Sequence, residues 1–197
     1  MLCTDNTPPF TPQLLLGTYA QGIFPMADGD GTIQWYDPDP RAIFPLDAIA
    51  PNARFRRFLR NSNLRCTLDL AFEEVIGHCA TVHGESWIDQ RIIATYTALH
   101  FMGHAQSVET WQGEQLVGGL YGVSLGGAFF GESMFSLVPN GSKAAFYHLV
   151  EHLKERGFSL FDTQFLNAHT ASLGAIEVPR KEFSTMLAKA LRSPSRS

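Results

Sequence analysis

The sequence predicts an α+β domain, in which helices flank a mixed, largely antiparallel sheet and a small irregular module precedes it. Two observations support this prediction. Three strand-like runs, separated by short glycine-containing turns, follow one another between residues 105 and 136, which is typical of an antiparallel meander. Segments with apolar residues at helical spacing precede and follow these runs. With 197 residues, 45% of them hydrophobic, the chain can bury a substantial core.

The first sixty residues are rich in proline and aromatic residues, as in "GIFPM" and "WYDPDPRAIFP". Proline divides a chain into turns and short extended pieces. We therefore expect residues 1–61 to form a small irregular module rather than a helical one. Residues 62–192 are expected to form the main domain, and residues 193–197 a polar tail.

The main domain is expected to open with a strand, "LRCTL", and two helices. Apolar residues at helical spacing mark the first helix, with Asp69 available as its N-cap: Phe72, Val75, Ile76 and Cys79. The second helix is expected to begin near Asp89 and to stop at Gly103. The three strands of the meander follow as "AQSVETW", "QLVGGLYGV" and "GAFFGESMFS".

After the meander, residues 140–142 are expected to cap a helix that ends at Gly157. Its buried stripe consists of Phe146, Leu149, Val150 and Leu153. The domain is completed by the strand "FSLFDTQF", the short helix "HTASLGA", the brief strand "IEVP" and the amphipathic helix "RKEFSTMLAKALR".

This order of elements resembles the N-acetyltransferase (GNAT) fold. That fold holds the pyrophosphate of acyl-coenzyme A with a loop of the form R/Q-x-x-G-x-G/A between its fourth strand and third helix. The corresponding junction here reads "LVPNGSK" and lacks the pattern. We therefore expect no coenzyme A, and the function has to be argued from the site rather than from the fold.

Composition narrows the class of protein further. The three cysteines are odd in number and show no C-x-x-C spacing, which supports neither a disulfide framework nor a zinc knuckle. A reducing, cytoplasmic compartment is expected. The N-terminal stretch does not resemble a secretory signal, and no apolar run reaches the length of about 20 residues that a membrane helix needs.

A basic cluster stands out against the net charge of −4. Five of the 15 basic residues lie within "RFRRFLRNSNLR": Arg54, Arg56, Arg57, Arg60 and Arg65. Such a cluster can bind phosphates. It can also be a solvated helix face on which the arginine stems cover apolar surface, and the run alone does not decide between these interpretations.

Glu132 is the single carboxylate in the apolar run "GAFFGESMFS". Strand alternation places Phe130, Glu132 and Met134 on one face, unless a bulge near Gly131 shifts the register. A carboxylate among apolar neighbours costs free energy unless a cation or a hydrogen-bond donor meets it. Glu132 is therefore either a solvated residue of an edge strand or a carboxylate that receives a ligand's ammonium group at the rim of an apolar pocket.

Asp162 and Gln164 lie two residues apart in "FDTQF", so both project to one face of a strand and Phe161 to the other. The acid can thus orient the neighbouring amide. The alternative is a polar strand end that satisfies nearby backbone groups.

Two histidine pairs suggest a metal site but do not support one well. "HLVEH", from His148 to His152, matches the H-x-x-E-H pattern of a class of zinc peptidases. Its imidazoles are expected to oppose the apolar stripe and no third ligand is evident, so no metal is expected. His100 and His104 straddle the glycine that ends a helix and are expected to be packed or solvated.

Trp35, Tyr36 and Trp87 stand among polar or turn residues. Each can fill a core position or provide a stacking platform for a nucleobase.

Eight stretches in one order carry a resemblance that covers roughly residues 13–185. They are "YAQGIFPM", "WYDPDPRA", "ESWID", "LHFMGHAQSVETW", "LVGGLYGV", "FFGESMFS", "GSKAA" and "DTQFLNAHTASLGA". Together they resemble the bacterial leucyl/phenylalanyl-tRNA–protein transferase family. Many members of that family have tryptophan where this chain has Met26.

The resemblance implies an enzyme that moves leucine or phenylalanine, with methionine as a further donor, from tRNA to the N-terminal amine of proteins beginning with arginine or lysine. Such transfer marks the acceptor for degradation by the N-degron route. The family uses a GNAT-like domain without coenzyme A or metal. A coenzyme-A-dependent N-acetyltransferase and a non-catalytic tRNA-binding module are the alternatives.

The resemblance also implies roles for individual residues. Glu132 and Gln164 would line the reaction centre, and Asp162 would orient Gln164. The pocket for the donor side chain would be formed by Leu120, Phe129, Ser133 and Met134. The 3′ end of the tRNA would contact Trp35, Trp87 and Arg41. Acceptor-stem phosphates would contact the cluster of Arg54, Arg56, Arg57 and Arg60.

Overall fold

The computed structural model describes residues 10–28, 32–82 and 87–193. The helices are α1 (Pro12–Tyr19), α2 (Ala53–Asn61), α3 (Phe72–Val82), α4 (Gln90–Phe101), α5 (Gly141–Glu155), α6 (Ala168–Leu173) and α7 (Arg180–Leu191). The strands are β1 (Phe24–Ala27), β2 (Ile33–Tyr36), β3 (Arg41–Phe44), β4 (Leu64–Leu68), β5 (Ala105–Gln112), β6 (Gln115–Leu125), β7 (Ala128–Ser136), β8 (Leu160–Gln164) and β9 (Ile176–Val178). The predicted α+β class and the predicted order of elements in the main domain are confirmed.

Seven strands form the main sheet, in the order β4-β5-β6-β7-β8-β3-β9, and β1 pairs with β2 in a separate hairpin. Strands β5, β6 and β7 form the predicted antiparallel meander. The pairing of β7 with β8 is parallel, whereas the other pairs in the sheet are antiparallel. This parallel pairing ends where Phe130 faces Asp162. The two strands therefore separate beyond that point and leave a gap in the sheet.

Helices cover both faces of the main sheet and divide the buried residues into two cores. The first core joins α1, α3, α4 and α7 to the sheet through residues such as Leu15, Val75 and Tyr96. The second core joins α2 and α5 to the opposite face and includes Phe55 and Leu149. Burial of apolar surface on both faces holds the strands rigidly around the gap.

The N-terminal module is more regular than the sequence predicts. In its described residues it contains the helices α1 and α2, so the expectation of a non-helical module is wrong. Thr11 caps α1 by accepting a hydrogen bond from the Leu14 amide at 3.2 Å, and a proline follows at the first helical position, where its missing N–H costs nothing. Strand β3 belongs to the main sheet, although it lies within the 1–61 segment.

Helix α3 begins differently from the prediction. Asp69 is not its N-cap, because the helix begins at Phe72 and the Asp69 carboxylate accepts a hydrogen bond from the Ser107 amide at 2.8 Å. The buried Glu109 instead accepts a hydrogen bond from the Ala71 amide at 3.3 Å. A carboxylate from a neighbouring strand thus stabilises the positive end of this helix.

The other predicted helix ends agree with the structure. Asp89 caps α4 by accepting hydrogen bonds from the Arg91 and Ile92 amides, and Gly103 follows that helix with a φ of 78°. Helix α5 begins at Gly141, next to Asn140, whose side chain makes no capping hydrogen bond.

The remaining compositional predictions concern cysteines and membranes. Cys66 and Cys79 are free thiols, and Cys3 lies outside the described residues. Within residues 10–28, 32–82 and 87–193, no helix is both long and apolar enough to cross a membrane.

Candidate active site

A cavity of about 520 Å³ lies in the gap where β7 and β8 separate. Leu120, Met134 and Phe161 contribute apolar walls, while Glu132 and Gln164 contribute polar groups. A mainly apolar cavity with a few polar groups is typical of a site for a small molecule or for the reactive end of a larger one.

A bulge in β7 determines which side chains enter this cavity. Tyr121 pairs with Ser133 and Gly122 pairs with Gly131, so Glu132 is the extra residue. Phe130 packs in the first core, but Met134 packs against the second core. Phe130 and Met134 therefore lie on opposite faces, because the extra residue reverses the alternation. This is the exception expected for a bulge near Gly131.

Hydrogen bonds from distant parts of the chain surround the Glu132 carboxyl group. The Tyr19 hydroxyl donates to Oε1 at 2.7 Å, and the Tyr96 hydroxyl donates to Oε2 at 3.2 Å. The Gln164 side-chain amide donates to Oε1 at 3.4 Å, and the two tyrosine hydroxyls lie 2.5 Å apart. Strand β7 lies inside the sheet, so the interpretation of Glu132 as a solvated residue of an edge strand is wrong.

Burial controls the ionisation of this cluster. It raises the pKa of Glu132 from 4.5 to about 8, and the nearby Asp162 carboxylate also raises this pKa. The hydrogen bonds from Tyr19 and Tyr96 and the charge of Arg41 lower it, but by less. Burial and the proximity of Glu132 raise the tyrosine pKa values well above 10. At neutral pH the cluster therefore holds its protons and presents no net charge to the cavity.

Asp162 lies beneath the cavity and pairs with Arg41. Both side chains are fully buried, and the Arg41 guanidinium donates to the carboxylate through Nε at 2.9 Å and Nη2 at 2.6 Å. The remaining nitrogen, Nη1, donates to the Gly22 carbonyl at 2.8 Å. This bidentate geometry fixes the carboxylate more tightly than a single hydrogen bond.

Asp162 also holds the backbone of Gln164. Its Oδ1 accepts a hydrogen bond from the Gln164 amide at 3.0 Å, and Gln164 has a φ of 59°. A left-handed backbone conformation is unfavourable for a glutamine and persists only where surrounding contacts impose it. The predicted coupling of Asp162 to Gln164 thus runs through the backbone, whereas the side-chain amide of Gln164 bonds Glu132.

The residues predicted for the donor pocket separate into two groups. Leu120, Ser133 and Met134 line the cavity. Phe129 does not, because it is fully buried in the second core, with its ring 5.4 Å from that of Phe161. Phe161 lines the cavity in its place, and Phe129 supports it from behind.

The residues predicted to contact tRNA also occupy different environments. Trp87 lines the cavity. Trp35 lies outside it on β2, is 38% exposed, and packs near Phe10. Arg41 has no exposed surface, so the expected direct contact with tRNA does not fit its position. The four arginines of the cluster are exposed on α2: Arg54, Arg56, Arg57 and Arg60.

Sequence reasoning missed Tyr19 and Tyr96 as parts of the site. Tyr96 recurs at helical spacing with the apolar residues of α4, where a tyrosine is usually a core residue. Tyr19 does lie in the stretch "YAQGIFPM", which helps to carry the family resemblance, but nothing local connects it to Glu132, 113 residues away. His169, another cavity residue, contacts the Met134 sulfur with its Nε2 at 3.0 Å.

The histidine pairs form no metal site among the described residues, where no group of three or more histidine, cysteine, aspartate or glutamate side chains is arranged to hold an ion. His148 and His152 are half-buried on α5, and burial lowers the pKa of His152. His100 stacks on Phe72 with ring centroids 4.4 Å apart, which agrees with the interpretation of a packed residue.

The raised pKa of Glu132 predicts that the protein becomes less stable as pH rises. In the unfolded chain this carboxyl group ionises near its ordinary pKa of 4.5, but in the folded protein it keeps its proton up to about pH 8. Between these values the unfolded state binds fewer protons, so the free energy of unfolding falls with increasing pH. Glu132→Gln should match the wild type at pH 5 and exceed its stability at pH 9 by roughly 2–4 kcal/mol, after allowing for water in the open cavity.

Urea unfolding at pH 5 and pH 9 measures this difference. Glu114→Gln is the matched control, because Glu114 is exposed in the turn between β5 and β6, and it should behave as the wild type at both values. An equal stability difference at pH 5 and pH 9 for Glu132→Gln would contradict the prediction.

The strand order, the separation of β7 from β8 and the cavity between them define an α+β domain with a GNAT-like arrangement of strands. Comparison with known families then gives the particular family. The chain belongs to the leucyl/phenylalanyl-tRNA protein transferase family, whose model matches residues 43–188, while the model of the N-terminal domain of that family matches residues 9–39.

Individual relatives agree with this assignment. The chain is 52% identical over 185 residues to the leucyl/phenylalanyl-tRNA–protein transferase of Gloeobacter violaceus, covering 93% of this chain and 95% of that protein. It is 49% identical over 182 residues to the enzyme of the same name from Ruegeria pomeroyi, covering 91% of this chain and 86% of that protein. Among solved structures, the C-terminal domain of a putative lysylphosphatidylglycerol synthetase from Agrobacterium fabrum is similar with a TM-score of 0.46 and 14% identity, over 92% of this chain and 57% of that one. That similarity is too weak to transfer any property.

Proposed function

We propose that the cavity between β7 and β8 is where this aminoacyltransferase moves leucine or phenylalanine from tRNA to the N-terminal amine of a protein that begins with arginine or lysine. One observation carries the proposal. Glu132 and Gln164 meet beside an apolar cavity large enough for such a side chain. An aminoacyl ester is already activated, so the enzyme chiefly has to hold the amine against the ester carbonyl in the correct orientation.

The donor side chain occupies the apolar part of the cavity in this proposal. Leu120, Met134 and Phe161 surround it, and Ser133 adds a polar edge. Leucine, phenylalanine and methionine are unbranched at Cβ and enter such a cavity, whereas valine and isoleucine crowd its walls. Discrimination of this kind is worth about 1–3 kcal/mol, so the preference is graded rather than absolute.

Gln164 aligns the attacking amine. Its side-chain nitrogen donates to Glu132, which leaves its carbonyl oxygen to accept a hydrogen from the uncharged amine. The amine nitrogen then forms a bond to the ester carbonyl carbon, and the bond from that carbon to the ribose oxygen breaks. The proton lost by the amine passes to the ribose oxygen, and Glu132 holds an amino group beside the cavity.

The rest of the tRNA lies against the N-terminal part of the chain. Trp87 stacks on the terminal adenine beside Met26, and both residues line the cavity. Trp35 offers a further aromatic surface on the neighbouring hairpin. The exposed arginines of α2 bind acceptor-stem phosphates, which gives binding a strong dependence on salt. We place the reaction in the cytoplasm and assign its products to the N-degron route.

The decisive test is transfer of radiolabelled leucine from leucyl-tRNA to a peptide that begins with arginine. We expect incorporation into this peptide and into one beginning with lysine. A peptide beginning with glycine and reactions with leucine-free tRNA are the controls, and both should remain unlabelled.

Other results would overturn the proposal in distinct ways. Equal labelling of the glycine peptide would contradict the proposed specificity for acceptors that begin with arginine or lysine. Binding of tRNA without any transfer would indicate a non-catalytic binding module, and acetylation of the peptide from acetyl-coenzyme A would indicate an N-acetyltransferase.

A further inference from the structure

A second cavity, of about 350 Å³, lies between the first turns of α2 and α5. Its lining combines two cations, two side-chain amides and two aromatic rings. These residues are Arg54, Lys143, Asn52, Asn140, Phe55 and Phe58. None of the roles assigned above explains why they meet, because only Arg54 belongs to the basic cluster of α2.

Among the described residues, the two cations have no carboxylate partner. Neither Arg54 nor Lys143 forms an ion pair in the part of the chain that the structure describes. The Lys143 ammonium lies instead over the ring of Phe55, 5.2 Å from its centroid, and 6.0 Å from that of Tyr147. Two cations that face one cavity repel each other unless an anion lies between them. The chain as a whole carries a net charge of −4, so the two cations form a local concentration of positive charge.

The amides add hydrogen-bond donors around the same space. The Asn52 side-chain oxygen accepts a hydrogen bond from the Phe55 amide at 2.8 Å, so its NH₂ group remains to donate. The Asn140 side chain makes no capping hydrogen bond with α5. Cations and amide donors around one cavity suit an oxyanion better than an apolar or a cationic ligand.

The position of this cavity relates it to the candidate active site. Ser142 lines the cavity between β7 and β8, and Lys143, the next residue of α5, lines the second one. The partly exposed ring of Phe58 adds a stacking surface. Cations beside aromatic rings are the combination that binds single-stranded nucleic acids.

We propose that the second cavity binds a backbone phosphate of the single-stranded 3′ end of the tRNA, with Lys143 and Arg54 as its cationic contacts. This inference rests on the proposed function and deepens it, because it adds a phosphate contact on α5, next to the reaction centre, and moves Arg54 from the acceptor-stem contacts to the 3′ end. The contact fixes the 3′ end at the point where it enters the cavity between β7 and β8.

Lys143→Gln tests the proposal, because it removes the charge and keeps most of the side-chain stem. We expect the KM for leucyl-tRNA to rise about tenfold and kcat to stay within about twofold. The slope of log affinity against log salt should fall by about 0.7, the value for one contact to a single-stranded phosphate. Lys143→Arg should recover most of the loss.

Lys181→Gln is the matched control, because Lys181 is exposed on α7, outside both cavities, and should change neither quantity. An unchanged KM and salt slope for Lys143→Gln would overturn the proposal, as would a loss confined to kcat. Direct binding of uncharged tRNA by the same variants gives the salt slope without any transfer. Failure of the wild type to transfer leucine would therefore count against the proposed function alone.

Discussion

Replacing Gln164 by alanine is expected to lower kcat/KM for leucine transfer by about 100-fold or more, the range seen when a group that handles a proton in the transition state is lost. The substitution removes the carbonyl oxygen that we propose aligns the amine, and it also removes the amide that donates to Glu132. Binding of tRNA should change less than about twofold, because the proposed phosphate contacts lie on α2 and α5. Radiolabelled leucine transfer and filter binding of leucyl-tRNA measure the two effects.

Gln21→Ala provides the matched control for this experiment. Gln21 is an exposed glutamine whose side chain bonds the Gly17 carbonyl, outside the cavity, and its loss should leave transfer unchanged. Full activity of the Gln164→Ala variant would exclude the assigned role, and a parallel loss of tRNA binding would indicate a structural role instead.

Arg41→Met is expected to lower the free energy of unfolding by about 3–5 kcal/mol, because it leaves the Asp162 carboxylate buried without its cation. In a chain of this length that change corresponds to a fall in Tm of roughly 10 °C. Thermal and urea unfolding measure it. Arg180→Met is the control, since the Arg180–Asp37 pair is 3.3 Å long and largely exposed, and its loss should cost less than about 1 kcal/mol.

The double variant Arg41→Met, Asp162→Leu separates stability from activity. Apolar residues that replace a complete buried pair often restore stability, so we expect the double variant to recover more than half of the loss. Transfer should stay low, because the Gln164 amide has then lost the carboxylate that holds its backbone. Recovery of both properties would show that Asp162 does not position Gln164.

Local signals predicted the main domain well, because its elements carry their own start and stop residues. Asp89 and Gly103 delimit α4, and short glycine-containing turns separate the strands of the meander. Prediction was poorest where a distant residue replaces a local one. Asp69 has the chemistry of an N-cap, but Glu109 from β5 bonds the end of α3 instead.

The bulge in β7 is a second feature that depends on distant residues rather than on the local pattern. Alternation holds from Phe129 to Phe130 and then reverses around Glu132. Which residue becomes the extra one depends on the pairing with β6 and on the packing at Gly131, where an added Cβ would lie 2.9 Å from the Phe161 ring. Pairing of this kind is a property of the assembled sheet.

The sequence by itself determined the fold class, the family, and Glu132 and Gln164 as candidate reactive groups, because these follow from periodicity, turn residues and the order of characteristic stretches. Only the tertiary structure decided what surrounds those groups. It brought Tyr19 and Tyr96 to Glu132 from different helices, and it buried Arg41 against Asp162 rather than exposing it to tRNA. The physical reason is that hydrogen bonds and ion pairs between distant residues form only once helices pack on the sheet and exclude water, and no local pattern records which partners will meet.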